Sequence, residues 1–308
     1  MRLSTDPRLR LTGSITALAT PFAADGAVDT DAFARLIDAQ LAAGTSGVVV
    51  AGSTGEATAL EDSEYRAVLA FAVHRIGRRV PVLAGTGASS TARALALTRL
   101  AADIGADAAL VATPAYLRPT QAGLLAHYDA IAEQGGLPLV LYNVPARTAC
   151  DLLPDTAAAL ARHPRIVGIK EAVSDPARLQ SLLALRNEGF AVLCGDDAGS
   201  CRAMLAGADG AVSVVGNVVP ATFARLCALA LGVQAEAAAQ LDARLAPLYE
   251  FLAVEPNPVP VKALLNLAGT GYGLRLPLLP LSSAHEGQAR RMHALAESLE
   301  AECRASAA

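Results

Sequence analysis

The chain has 308 residues, 25 basic and 29 acidic side chains, a formal net charge of −4 and a hydrophobic content of 53%. Without a basic cluster, that balance argues against nucleic acid as the main partner. Mean hydropathy is +0.38, but no apolar run approaches the ~20 residues of a spanning helix, so no membrane span is expected.

Residues 1–10 hold arginines but no apolar stretch before Leu11, which does not read as a secretory leader. From Leu11 onward, short β-rich runs alternate with longer alanine- and leucine-rich stretches of helical pattern. The first strand is expected at 15–21 with its helix at 30–43, the second at 47–52 with 62–77, the third at 81–85 with 91–103, and the fourth at 108–113 with 121–134. The pairs 138–144 with 154–162, 166–171 with 175–187, 191–195 with 198–206, and 210–215 with 219–231 follow. The strands are continuously apolar, as expected where both faces are covered in a parallel sheet. Strand–helix units repeated in this way predict an α/β fold, a (β/α)8 TIM barrel, over residues 1–232. The rival is a doubly wound open sheet, which calls for a glycine-rich first turn that residues 20–24 lack. From Val233 the pattern turns helical (233–252, 259–267, 286–303), interrupted by a proline-rich joint at 254–260. This predicts a small C-terminal helical extension over 233–308.

The cysteines Cys150, Cys194, Cys201, Cys227 and Cys303 form no C-x-x-C pair and read as reduced thiols of a cytoplasmic protein. Of the 25 basic residues only Lys170 and Lys262 are lysines. Arginine stays protonated and cannot act as an amine nucleophile, whereas lysine can. Chemistry in such a barrel sits at the carboxy-terminal ends of the strands. Lys170 ends the sixth strand, and alternation places Gly168 and Lys170 on one face, with Val167 and Ile169 on the outer one. An amine among apolar neighbours is more readily neutral, and a neutral amine attacks a ketone to give an imine. The plainer alternative pairs Lys170 with Glu171.

Tyr142 ends the fifth strand; its phenol suits proton transfer, although a strand-end tyrosine equally suits core or rim. Arg147, in the following loop, can clamp a carboxylate with its planar fork or remain a solvated cation. Ser53 and Thr54, in the small-residue turn after the second strand, offer hydroxyl and backbone donors to an anion, and an ordinary turn fits as well. Tyr116 brings a second phenol to the same rim after the fourth strand. Asp196 and Asp197 suit either a ligand contact or a strand-end cap. His74, His127, His163, His285 and His293 fall on helices or remote loops without metal-ligand spacing, so no metal site is expected.

The segments G-S-T-G-E at 52–56, Y-N-V-P-A-R-T at 142–148, G-I-K-E-A at 168–172, G-D-D at 195–197 and V-E-P-N-P-V-P-V-K at 254–262 resemble, in this order, the dihydrodipicolinate synthase and N-acetylneuraminate lyase superfamily of pyruvate-dependent lyases. The likeness runs from about residue 11 to 281. It implies that Lys170 forms an imine with pyruvate, that Tyr142 shuttles protons, and that Ser53 and Thr54 bind the keto-acid carboxylate and join the relay. Ser53 stands where the family has threonine and keeps the hydroxyl. Gly195 and Val212 are implied to line the substrate site. Tyr116 is implied to reach a neighbouring site across a subunit interface, hence a homodimer or homotetramer. Arg147 matches the residue that receives the carboxylate of aspartate semialdehyde and points to the synthase branch of lysine and diaminopimelate biosynthesis, with neither metal nor organic cofactor. The resemblance also bears on feedback by lysine: Arg93 stands where an acidic residue would grip the effector's amine, and Ala115 replaces an aromatic, so weak or absent inhibition is expected. Three readings compete: a sister aldolase acting on a sugar-derived 2-keto acid, a metal-dependent barrel aldolase, and a non-catalytic keto-acid-binding paralogue.

Overall fold

The computed structural model describes residue 9 and residues 11–305. Apart from Leu9, the segment 1–10 read for a leader lies outside the described residues. The elements run β1 (Gly13–Ala17), α1 (Thr30–Ala42), β2 (Gly47–Val50), α2 (Asp62–Ile76), β3 (Val82–Gly85), α3 (Thr91–Ile104), β4 (Ala108–Ala112) and α4 (Gln121–Gln134). They continue through β5 (Leu139–Asn143), α5 (Pro145–Thr148), α6 (Pro154–Leu160), β6 (Ile166–Glu171), α7 (Pro176–Leu183), β7 (Ala191–Cys194), α8 (Asp197–Leu205), β8 (Gly210–Ser213) and α9 (Pro220–Leu231). Beyond them lie α10 (Ala235–Leu252), α11 (Val259–Leu267) and α12 (Ser283–Ala305). The strands form a closed barrel in sequence order, β1 to β8, and the β8–β1 seam is parallel like the rest. This is the (β/α)8 architecture.

Side-chain alternation builds two layers from one set of strands. Ile15, Val49, Leu83, Leu110, Val140, Leu193 and Val212 fill the barrel interior. Val48, Val50, Ala84, Val111, Leu141, Ile169 and Val192 face outward under the helices. Helix starts are fixed locally by caps that satisfy otherwise orphaned N–H groups: Asp29 accepts from Ala32 N, Ser90 from Arg93 N, Thr120 from Gly123 N, and Asp175 from Arg178 N. Pro154 and Pro220 open α6 and α9, where a missing N–H costs nothing.

β6 departs from the expected pattern. Leu139 pairs with Ile166 but Val140 pairs with Gly168, so the register shifts around Val167. Such a shift lets the intervening residue leave the regular alternation, and Val167 packs with the interior cluster rather than on the outer face. Gly168 and Lys170 keep the inner face, because their β5 partners Val140 and Tyr142 hold it.

The apolar faces of α10, α11 and α12 do not form a core apart. Leu245, Leu248, Leu264, Ala289 and Leu299 join Met204, Phe223 and Leu226 of α8 and α9 in one cluster. Among the described residues no helix is long and apolar enough to cross a membrane.

Candidate active site

Lys170 is 5% exposed. Register places it beside Tyr142, and its Nζ lies 4.1 Å from the centre of the Tyr142 ring. Gly195, at the end of β7, lets the lysine stem lie close: a Cβ there would sit 2.9 Å from Lys170 Cε and 3.0 Å from Cγ. Gly195 N donates to Glu171 O at 2.7 Å, which seats the β7 end against β6. Val212 of β8 belongs to the same interior cluster as Tyr142.

The pairing of Lys170 with Glu171 does not occur. Glu171 is oriented outward, where its carboxylate accepts from Arg178 Nε at 2.7 Å, from Asn143 Nδ2 at 3.0 and 3.1 Å, and from Val173 N at 2.8 Å. Asp151 completes that network through Arg178 NH2 at 2.7 Å. Burial pushes the Glu171 carboxyl above its ordinary value, with Arg178 and the Val173 N–H opposing it. No hydrogen bond or ion pair among the described residues engages Lys170 Nζ. The second lysine is its opposite: Lys262 Nζ donates to Glu56 Oε1 at 2.5 Å, with the two side chains 5% and 2% exposed. Burial lowers the proton affinity of Lys262, and Glu56 works against that shift.

The turn after β2 carries Ser53, exposed, and Thr54, buried. Thr54 Oγ1 accepts from Asn257 Nδ2 at 3.0 Å, and the carbonyl of Asn257 accepts from Arg147 NH2 at 3.0 Å. Arg147 itself stands on α5, a single helical turn rather than a loop, opened by Pro145. Asn257 therefore links the two residues expected to hold carboxylates, although it comes from the joint before α11. Its Oδ1 is buried without a hydrogen-bond partner among the described residues, an arrangement that is costly unless a ligand supplies a donor. Tyr116 stands apart: 90% exposed and at φ +74°, with Leu117 beside it 62% exposed.

Asp196 and Asp197 act as caps and ties. Asp196 accepts from Gly199 N at 2.9 Å and from Ser174 Oγ at 2.8 Å. Asp197 accepts from Val215 N at 2.8 Å; burial pushes its carboxyl up to about 6, against hydrogen bonds from Ser213 and the backbone. Among the described residues, no three His, Cys, Asp or Glu side chains converge on a common point that could hold a metal ion.

Residues 10–296 match the dihydrodipicolinate synthetase family. The chain belongs to this family. It is 58% identical over 293 residues to the 4-hydroxy-tetrahydrodipicolinate synthase of Xanthomonas campestris pv. campestris, covering 95% of this chain and 97% of that one. It is equally identical to the Stenotrophomonas maltophilia protein of the same name, covering 95% and 99%. Among solved structures, the chloride-inhibited dihydrodipicolinate synthase of Acinetobacter baumannii, complexed with pyruvate, superposes with a TM-score of 0.91 at 42% identity, covering 94% and 99%. The Methylacidiphilum fumariolicum synthase gives 0.92 at 36% identity, covering 96% and 99%.

On the barrel of the dihydrodipicolinate synthetase family, Lys170, Tyr142 and Gly195 are brought together, Val212 lies in the same barrel interior, and Thr54 and Arg147 meet through Asn257. Reading the sequence singled out neither Asn257 nor the Glu56–Lys262 pair. The motif at 254–262 carries both Asn257 and Lys262, the motif at 52–56 carries Glu56, and the scarcity of lysine marked Lys262 without naming its partner.

Proposed function

We propose that the chain is a 4-hydroxy-tetrahydrodipicolinate synthase that condenses pyruvate with L-aspartate 4-semialdehyde on Lys170. The observation that carries this reading is the contrast between the two lysines. Both are buried, but Lys262 is held by a carboxylate while Lys170 has no ion pair among the described residues and faces a phenol ring 4.1 Å away. An unpaired amine at the mouth of a barrel, in a chain that otherwise uses arginine for its cations, is placed for nucleophilic attack.

Lys170 Nζ adds to the ketone carbon of pyruvate and water leaves, giving a protonated imine. Ser53 and Thr54 hold the pyruvate carboxylate. The imine draws electrons from the methyl group, which loses a proton and becomes an enamine. The enamine carbon attacks the aldehyde, whose distal carboxylate rests on Arg147 and whose amino group can donate to Asn257 Oδ1. Tyr142, in series with Ser53 and Tyr116 of the partner subunit, carries protons to and from the reacting atoms. Attack by the substrate's own amine then displaces Lys170 and closes the ring. The carbanion is stabilised by the imine, so the mechanism calls for no metal or organic cofactor. Five free thiols suit a cytoplasmic setting.

Borohydride in the presence of pyruvate tests the reading directly. The expected result is one reduced adduct, mapped to the peptide containing Lys170, with turnover unaffected by chelators. An adduct on Lys262, or unimpaired turnover by Lys170→Ala, overturns it.

A further inference from the structure

We propose that Lys262, on the C-terminal extension, is a positioning residue for the pyruvate carboxylate. It acts by holding Glu56, and through Glu56 the turn that bears Ser53 and Thr54. The inference rests on the proposed role of that turn in binding pyruvate.

The turn is bracketed by two residues in the left-handed region, Ala51 at φ +52° and Glu56 at φ +51°. Residues with a Cβ adopt that conformation only where their surroundings hold them there. Between them, Gly55 N donates to Gly52 O at 3.1 Å and Glu56 N to Ser53 O at 3.1 Å. The Ala51 end is held sterically by the barrel: a Cβ on Gly85 would lie 2.2 Å from Ala51 O, so only glycine permits the approach. The Glu56 end is held by charge from the extension. Oε1 accepts from Lys262 Nζ at 2.5 Å and Oε2 from the Arg275 backbone N at 3.0 Å. Lys262 Nζ also lies 4.0 Å from the centre of the Phe22 ring, which fixes it from a second side. Without Lys262, Glu56 would carry an uncompensated buried charge and would be driven to rotate toward water. That rotation takes the backbone out of the left-handed region two residues after Thr54, and displaces the hydroxyls that meet the carboxylate.

Imine formation before aldehyde binding makes the reaction ping-pong, so kcat/KM for pyruvate and for the aldehyde report separate halves of the cycle. For Lys262→Met the expected result is a fall of about tenfold or more in kcat/KM for pyruvate, the scale of a misplaced hydrogen bond to a charged group. The value for the aldehyde should fall several-fold less than that for pyruvate: Ser53 also serves the proton relay, but the aldehyde's carboxylate rests on Arg147, outside the turn. The doubly substituted Glu56→Gln/Lys262→Met protein removes the lone buried charge and guards against misfolding; it should show the same selective loss. Equal losses in both halves, no loss in a folded variant, or failure of the double variant to fold would assign the pair to stability alone and overturn the proposal. Borohydride trapping on the unsubstituted protein is the separate control: if pyruvate is not captured on Lys170 there, it is the proposed function that fails, whatever the variants do.

Discussion

At Lys170 the geometry is decided by an absence. Gly195 contributes no side chain, and the lysine stem occupies the room a Cβ would take, with a Cε contact of 2.9 Å. Gly195→Ala therefore moves the amine rather than removing it. Displacement of a nucleophile by a fraction of an ångström lowers kcat by about tenfold to a hundredfold, and the expected variant keeps its fold and melting temperature while trapping pyruvate slowly. Native trapping kinetics would show that the contact is irrelevant. Arg93 is a second site where one residue decides an outcome. Its guanidinium pairs with Asp62, NH1 donating to Oδ2 at 3.1 Å, and the family resemblance implies that this is the position from which an acidic residue would hold lysine's amine. Lysine should inhibit steady-state turnover weakly or not at all; inhibition at low micromolar lysine contradicts this.

Among the elements, the segment between α11 and α12 is fastened to the barrel chiefly by Arg275. Its guanidinium donates to Gly26 O at 2.7 Å and Ala59 O at 2.9 Å and pairs with Glu64 on α2. Arg275 holds the Glu64 carboxyl at about 2, below its ordinary 4.5. A depressed carboxyl stabilises the fold fully above the unfolded value of 4.5 and loses that contribution as pH falls toward 2. Glu64 is 27% exposed, and solvent screening leaves the pair worth about 1 kcal/mol. Glu64→Gln should lower the urea midpoint at pH 7, with the gap to the native protein narrowing by roughly half at pH 3. A gap that is the same at both pH values rules this contribution out.

Element by element, the barrel was legible because buried parallel strands are written as short apolar runs, and Lys170 stood out because lysine is otherwise almost absent. Strand ends were less legible: β1 is Gly13–Ala17, not 15–21, because pairing rather than hydropathy ends a strand. The one-turn helix α5 is too short to show a period. The register shift at Val167 depends on β5, a separate run of sequence. The Lys262–Glu56 contact joins residues 206 positions apart, and Asn257 meets Thr54 across 203. Neither partnership leaves a local pattern.

For the whole molecule, the proposed mechanism leaves the proton path of a single chain incomplete. Tyr142 is buried beside Lys170, but Tyr116 stands 90% exposed at a left-handed φ, next to the exposed Leu117. Holding a tyrosine strained and in water is unfavourable unless another surface covers it, and a second copy of this chain supplies that surface if Tyr116 reaches the neighbouring site. On the proposed mechanism the two roles are separable, with Lys170 working in its own subunit and Tyr116 in the partner. Lys170→Ala and Tyr116→Phe homo-oligomers should each be nearly inactive. After equal mixing and subunit exchange, half the dimers are mixed and one of their two sites regains both groups, so about a quarter of native activity should return. Recovery on mixing cannot arise if Tyr116 serves its own chain, because every site would then lack one group. A mixture that stays inactive, with exchange verified by mass, would place Tyr116 in its own subunit's site, and an active Tyr116→Phe protein would place it outside the reaction.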